Sequence, residues 1–143
     1  MYSVELIPLD RFNWEECLAI QISPEQENFV PPILYSLAQA KFESLTPFGV
    51  RLSGKMIGFL MHGEFSGICW LNRILIDADY QNQGIGEMAV KKWIQKMVYK
   101  VNCKEIRTSY ARENYSAAQF FEKLGFIPID DGLKEEIVAR YER

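Results

Sequence analysis

The chain has 143 residues, 48% of them hydrophobic, 13% aromatic and 24% charged, which supplies a packed interior and argues against disorder along its length. A net charge of −3 argues against a nucleic-acid partner. No apolar stretch approaches the ~20 residues of a membrane helix, and MYSVELIPLD lacks the basic start and long apolar run of a signal peptide. The expectation is a single domain over residues 1–143, cytoplasmic, with no membrane partner.

Residues 2–8 alternate as a strand. Asp10 is placed to cap a short helix through RFNWEECLAI. Ser23-Pro24 opens a second helix, with Glu25 and Glu27 suited to its start. Pro31 and Pro32 interrupt it before it resumes through ILYSLAQAKF. Residues 47–52 and 56–62 are strands joined by a hairpin turn at Ser53-Gly54-Lys55, and residues 68–77 form a third.

A longer helix follows. Ile85, Ala89, Trp93 and Met97 share one face at four-residue steps, Val90, Ile94 and Val98 flank it, and the lysines fall elsewhere. After a strand at 104–110, Asn114 caps a short helix that Gly125 stops. Residues 126–129 and 134–141 complete the chain as strands around a turn at Asp130-Asp131-Gly132. Strand–helix–strand alternation in the centre implies parallel pairing inside a mixed sheet, an α/β (α+β) fold.

Cys17, Cys69 and Cys103 are widely spaced among apolar neighbours and read as reduced core residues. His62 is the only histidine and sits in an apolar run, so it reads as structural, and no metal site is expected. Charge is uneven along the chain. Residues 1–50 carry a net of −5 and the rest a net of +2. Ordinary solvated helix faces would account for that, as would an acidic surface for a cationic partner.

YQNQGIGE, residues 80–87, joins the third of these strands to the long helix. The first turn of a helix exposes amides without intrahelical partners, and the dipole makes that end attractive to anions, phosphate above all. Gly84 and Gly86 permit close approach to the main chain. A tight turn is the plain alternative. The loop lacks the Lys-Ser or Lys-Thr of a P-loop, and its mid-chain position does not suit a dinucleotide fingerprint.

Gln81-Asn82-Gln83-Gly84-Ile85-Gly86 resembles the Q/R-x-x-G-x-G/A signature of the GNAT superfamily of N-acetyltransferases, and the run from Asn114 to Phe126 is similar to that family's N-x-x-A…Y-x-x-x-G-F ending. More narrowly, WLNRILIDADYQNQGIG and SPEQENFVPPILYSLAQA look like bacterial spermine/spermidine acetyltransferases. The resemblance spans nearly the whole chain. It implies the acyl-CoA N-acyltransferase fold, a twisted mixed sheet of about six or seven strands flanked by about four helices. It also implies acetyl-CoA as donor and CoA as product, with direct attack by the amine in a ternary complex. By the same resemblance, main-chain groups of Ile74, Leu75 and Ile76 align with the pantetheine arm, with the oxyanion donor near Leu75. The amides of Gln81, Asn82, Gln83, Gly84, Ile85, Gly86 and Glu87 hold the diphosphate. Asn114 contacts the arm, and Phe121 lies beside it.

The chemistry sets further requirements. A free alkylamine has a pKa near 10.4, so selecting its neutral form at pH 7 costs about 4.6 kcal/mol unless a base helps. Asn72 stands where some relatives carry a carboxylate, and asparagine is no base. Glu25, Glu27 and Glu64 are the acids that remain for base or substrate-binding roles, with Asn72 as a further substrate contact. The departing thiolate needs a proton, yet the family's usual tyrosine is replaced by Phe121, which leaves Tyr110 and Tyr115 as candidates. The acidic N-terminal half suits a polyamine as the small-molecule acceptor. A protein or drug amine, or a non-catalytic acyl-CoA-binding module, are the alternatives, and a monomer and a homodimer are both open.

Overall fold

The computed structural model describes residues 3–100, 102–129 and 135–142. The turn predicted at Asp130-Asp131-Gly132 lies outside the described residues. Strands β1 (Val4–Pro8), β2 (Thr46–Leu52), β3 (Lys55–Phe65), β4 (Ile68–Ile76), β5 (Glu105–Ala111), β6 (Phe126–Ile129) and β7 (Glu136–Tyr141) form one sheet in the order β1-β2-β3-β4-β5-β7-β6. Neighbours run antiparallel except β4 and β5, the parallel pair expected from the central alternation. Between those two strands lies α2 (Ile85–Val98), whose stripe of Ile85, Ala89, Trp93 and Met97 is buried as its spacing predicts.

The other α-helices are α1 (Ile33–Phe42) and α3 (Tyr115–Lys123). The helix expected from Asp10 is instead a 3-10 helix, Trp14–Ala19. Asp10 closes the turn ahead of it, accepting the amides of Phe12 at 2.8 Å and Asn13 at 3.1 Å. Ser23-Pro24 opens a run of turns rather than a helix. The stretch between Pro24 and Pro31 is too short for the hydrogen bonds of a few turns to offset the cost of nucleation. The described residues thus hold three α-helices and two short 3-10 helices in place of about four helices.

The layers follow from side-chain alternation. On one face of the sheet Leu60, Cys69, Leu71, Ile106 and Phe126 pack with Val90, Trp93, Ile94 and Met97 of α2 and Phe121 of α3. On the other, Phe59, Met61 and Leu75 pack with Cys17, Ile20 and Ala40 beneath α1 and the first 3-10 helix. All three cysteines are buried, and none forms a disulfide among the described residues. His62 is buried in the first layer between the rings of Phe48 and Trp93. Burial drives its pKa down to about 4, so the ring is neutral and structural.

Candidate active site

β4 and β5 are paired over only part of their length. Their register runs from Ile68↔Glu105 to Leu71↔Thr108 and stops. Beyond that point β4 keeps β3 as its neighbour, through Arg73↔Met61, Ile74↔Leu60, Leu75↔Phe59 and Ile76↔Gly58. β5 keeps β7, through Ser109↔Val138, Tyr110↔Ile137 and Ala111↔Glu136. The sheet therefore forks. At the vertex His62 faces Leu71 while Met61 faces Arg73, so Asn72 is the extra residue of a β-bulge. Bulges bend a strand and increase its twist, which turns β4 away from β5. The hydroxyl of Thr108 donates to the carbonyl of Leu71 at 3.0 Å and fastens the vertex.

Pleating decides which main-chain groups face the opening. Alternate residues of a strand direct both their N–H and C=O to the same side. The amide of Asp77 donates to Ile57 of β3 at 2.7 Å, and the carbonyl of Leu75 lies toward Gly58 of β3. Leu75 thus belongs to the β3 side. Ile74 and Ile76 face the fork, and the Ile76 carbonyl accepts the Gln81 side-chain amide there at 2.9 Å. The sequence expectation of an amide near Leu75 is corrected by one residue. The amides on the open side are those of Ile74 and Ile76, while Leu75 is buried under α1.

The opening widens into a cleft of about 1340 Å³, lined on one side by Ile74, Ile76, residues 80–82 and residues 84–87, and on the other by Ser109, Tyr110, Ala111 and the start of α3. Gly84 is the N-cap of α2 and has φ +78, a left-handed conformation that glycine adopts without strain. Its side-chain direction is open space. The first helical bond is Met88 N–H to Gly84 O at 3.0 Å, so the amides of Ile85, Gly86 and Glu87 precede the ladder. Asp77 shapes the approach. Its carboxylate accepts the amides of Asp79 and Gln21, each at 2.9 Å.

Gln81 also donates to the side-chain oxygen of Gln26 at 2.7 Å, tying this loop to the segment on the far side of the cleft. Glu87 faces the cleft mouth between Lys91 and Lys123, each 3.4 Å away. Burial alone would raise its pKa, but the bonds from the two lysines outweigh it and hold the carboxyl below its ordinary value.

Asn114 accepts the amide of Ala117 at 3.2 Å, caps α3 and lines the cleft. Tyr110 and Phe121 both line the cleft, their rings stacked at 5.8 Å. Burial raises the Tyr110 pKa, with Glu122 adding to the effect, so its phenol remains protonated. Tyr115, also in the lining, is 75% exposed.

The candidates for the acceptor half do not all converge. Glu25 and Asn72 line the cleft. Glu27, in the turns at 24–29, is exposed and outside the lining. Glu64 lies at the far end of β3, ion-paired with Lys100. Gln83 of the loop is exposed and also outside the lining.

Sequence reasoning missed Arg73, Thr108, Asp77 and Gln26. Arg73 had a signal, a charge within an apolar strand. Asp77 had a weaker one, an aspartate two residues before the amide it accepts. Thr108 and Gln26 had none, since their partners are distant in the chain.

The acetyltransferase (GNAT) family profile matches residues 11–126. A spermine/spermidine N(1)-acetyltransferase of Bacillus subtilis (strain 168) is 30% identical over 118 residues, covering 76% of this chain and 78% of that protein. Among solved structures, an acetyltransferase from Thermus thermophilus superposes with a TM-score of 0.79 at 17% identity over 98% of each chain. PaiA N-acetyltransferase from Thermoplasma acidophilum, in complex with coenzyme A, does so with a TM-score of 0.71 at 17% identity over 99% of each chain. The forked sheet, the glycine-capped helix and these likenesses agree: the chain belongs to the GNAT family of acetyltransferases, enzymes whose co-substrate is acetyl-CoA.

Proposed function

We propose that this enzyme acetylates a primary amine of a polyamine. The fork supports the donor half of that reading. An extended arm bearing amide groups can bond to the bare edge of β4 at Ile74 and Ile76, and Asn114 faces the same space from α3. The amides of residues 81–87 at the positive end of α2 suit a diphosphate. Acetyl-CoA, when bound, supplies an acetyl group activated as a thioester. The amide of Ile74 or Ile76 is the donor for the negative charge that gathers on its carbonyl oxygen. Tyr110, protonated and facing the cleft opposite β4, is the proton donor to the departing sulfur. Tyr115, 75% exposed at the start of α3, is the second candidate for that role.

The choice of a polyamine is carried by one observation, the 30% identity with a spermine/spermidine N(1)-acetyltransferase over most of both chains. Glu25 in the cleft is consistent with a polycationic acceptor.

Thiol release measured over spermine, spermidine, lysine peptides and aminoglycosides tests the choice. Turnover on the polyamines at the highest kcat/KM is expected. Turnover of another amine with none on spermine or spermidine would overturn it. Tyr110→Phe should lower kcat about 100-fold with little change in the KM for acetyl-CoA. An unchanged kcat would assign the proton to water.

A further inference from the structure

β4 supplies the acceptor half of the cleft with no base, and Glu25 lies apart from it on the 23–30 segment. Asn72 occupies the vertex, and Glu64 is committed to Lys100. What stands beside the vertex is a cation. Arg73 follows the bulge directly, and its side chain lies on the α1 face of the sheet. Its guanidinium is held by three neutral acceptors: Ser36 Oγ at 3.1 Å, Gln39 Oε1 at 2.5 Å and the Asn72 carbonyl at 3.2 Å.

Arg51, Arg107 and Arg140 each pair with a carboxylate, but among the described residues Arg73 has no such ion pair. It is partly buried and lines the cleft. A charge withdrawn from water without a countercharge is costly, and a neutral residue could bridge β4 to α1 without that cost. The charge itself therefore has a use.

Resting on the acetyltransferase reading above, we infer that Arg73 keeps the reacting nitrogen of the acceptor neutral. Its immobilised positive charge, one residue from the fork-facing amide of Ile74, disfavours an ammonium group there and stands in for the missing base. A fixed cation within about 4–6 Å lowers the pKa of a neighbouring amine. The acceptor loses one proton to solvent before it attacks. Its nitrogen lone pair then forms the C–N bond as the C–S bond breaks. Sulfur keeps that electron pair and takes one proton, and the nitrogen retains a single hydrogen as an amide.

The other charges around Arg73 fit this scheme. Desolvation lowers the Arg73 pKa and outweighs Tyr35 of α1 and Glu43 just beyond its end, which act to raise it. Lys41 and Glu27 are exposed. From β5, Arg107 is paired with Glu105, which also accepts Arg140. Glu25, on the 23–30 segment, is the acid that shares the cleft with Arg73 in this half, available to a second, remote ammonium. The acceptor class is thus a diamine or polyamine whose reacting and anchoring nitrogens are separated, in preference to a monoamine.

The pH dependence of kcat for wild type, Arg73→Met and Arg73→Lys tests this on whichever amine turns over best. In wild type the acidic limb should lie about one unit or more below that amine's pKa in solution. In Arg73→Met the limb should rise by about one unit, so that kcat falls about tenfold at pH 7 and converges with wild type where the free amine is already neutral. Arg73→Lys should keep the wild-type limb, and coenzyme A affinity should be unchanged in both variants. A limb that does not move in Arg73→Met, or one that moves equally in Arg73→Lys, would reduce Arg73 to a tie between β4 and α1. If Arg73→Met fails to fold, the wild-type limb decides, and one at the solution pKa overturns the inference. A wild type that acetylates no amine would defeat the parent reading instead.

Discussion

Over Ile68–Leu71, β4 is an interior strand with hydrogen-bonded neighbours on both sides; over Asn72–Ile76 it is an interior strand with one side bare. The first half, Ile-Cys-Trp-Leu, is apolar throughout, while the second opens on Asn72 and Arg73 before returning to Ile-Leu-Ile. One inserted residue, Asn72, and one hydroxyl, on Thr108, mark the boundary. An unpaired strand edge at the rim of a protein invites aggregation. Here the edge forms one wall of a cleft whose other wall is β5 and the start of α3.

Removing the boundary should have the largest effect. Deleting Asn72 restores an unbulged ladder without changing which face Arg73, Ile74 and Leu75 occupy, so β4 can pair with β5 along its length. The deletion variant is expected to fold and to show less than about 1% of wild-type activity, since small misplacements of reacting groups cost about that much. Circular dichroism and thiol release check the two halves of this statement. Full activity would mean that the fork does not depend on the bulge.

His62 sharpens the comparison, because it pairs with Leu71 at the vertex. Its folded pKa, about 4, lies below the ordinary 6.5. Below pH 6.5 the unfolded chain therefore takes up a proton that the folded chain refuses. This contribution to stability is fully present above pH 6.5 and is lost as pH falls toward 4, by about 3 kcal/mol in all. Denaturant melts of wild type and His62→Phe across that window should differ in slope. Parallel curves would refute the assignment.

The smallest effect is expected from Thr108→Val, which leaves the Leu71 carbonyl without its partner. Stability should fall by about 1–2 kcal/mol, read as a lower denaturation midpoint at constant m value. Activity should fall more than stability alone predicts if the hydroxyl sets the angle of the fork.

The comparison also explains what could be read in advance. The central strand–helix–strand order, the buried stripe of α2, the cap at Asn114 and the stop at Gly125 depend on neighbours in the chain, and the sequence displays them. The 3-10 helix in place of the Asp10 helix is a matter of degree, settled by packing against β3. The choice between Leu75 and its neighbours could not be read. It depends on the parity of a ladder whose bulge is defined jointly by β3 and β4. Glu64 looked like a candidate only because the partner that removes it, Lys100, is 36 positions away.

The bare edge of β4 has a thermodynamic corollary. A donor that fills it supplies the rungs the sheet lacks, and any molecule that binds only the folded chain raises its stability, by about 2.7 kcal/mol at a hundredfold excess over Kd. The melting temperature of this enzyme should therefore report the ambient supply of activated acetyl groups. Starvation for that supply would shorten the lifetime of the catalyst along with its rate.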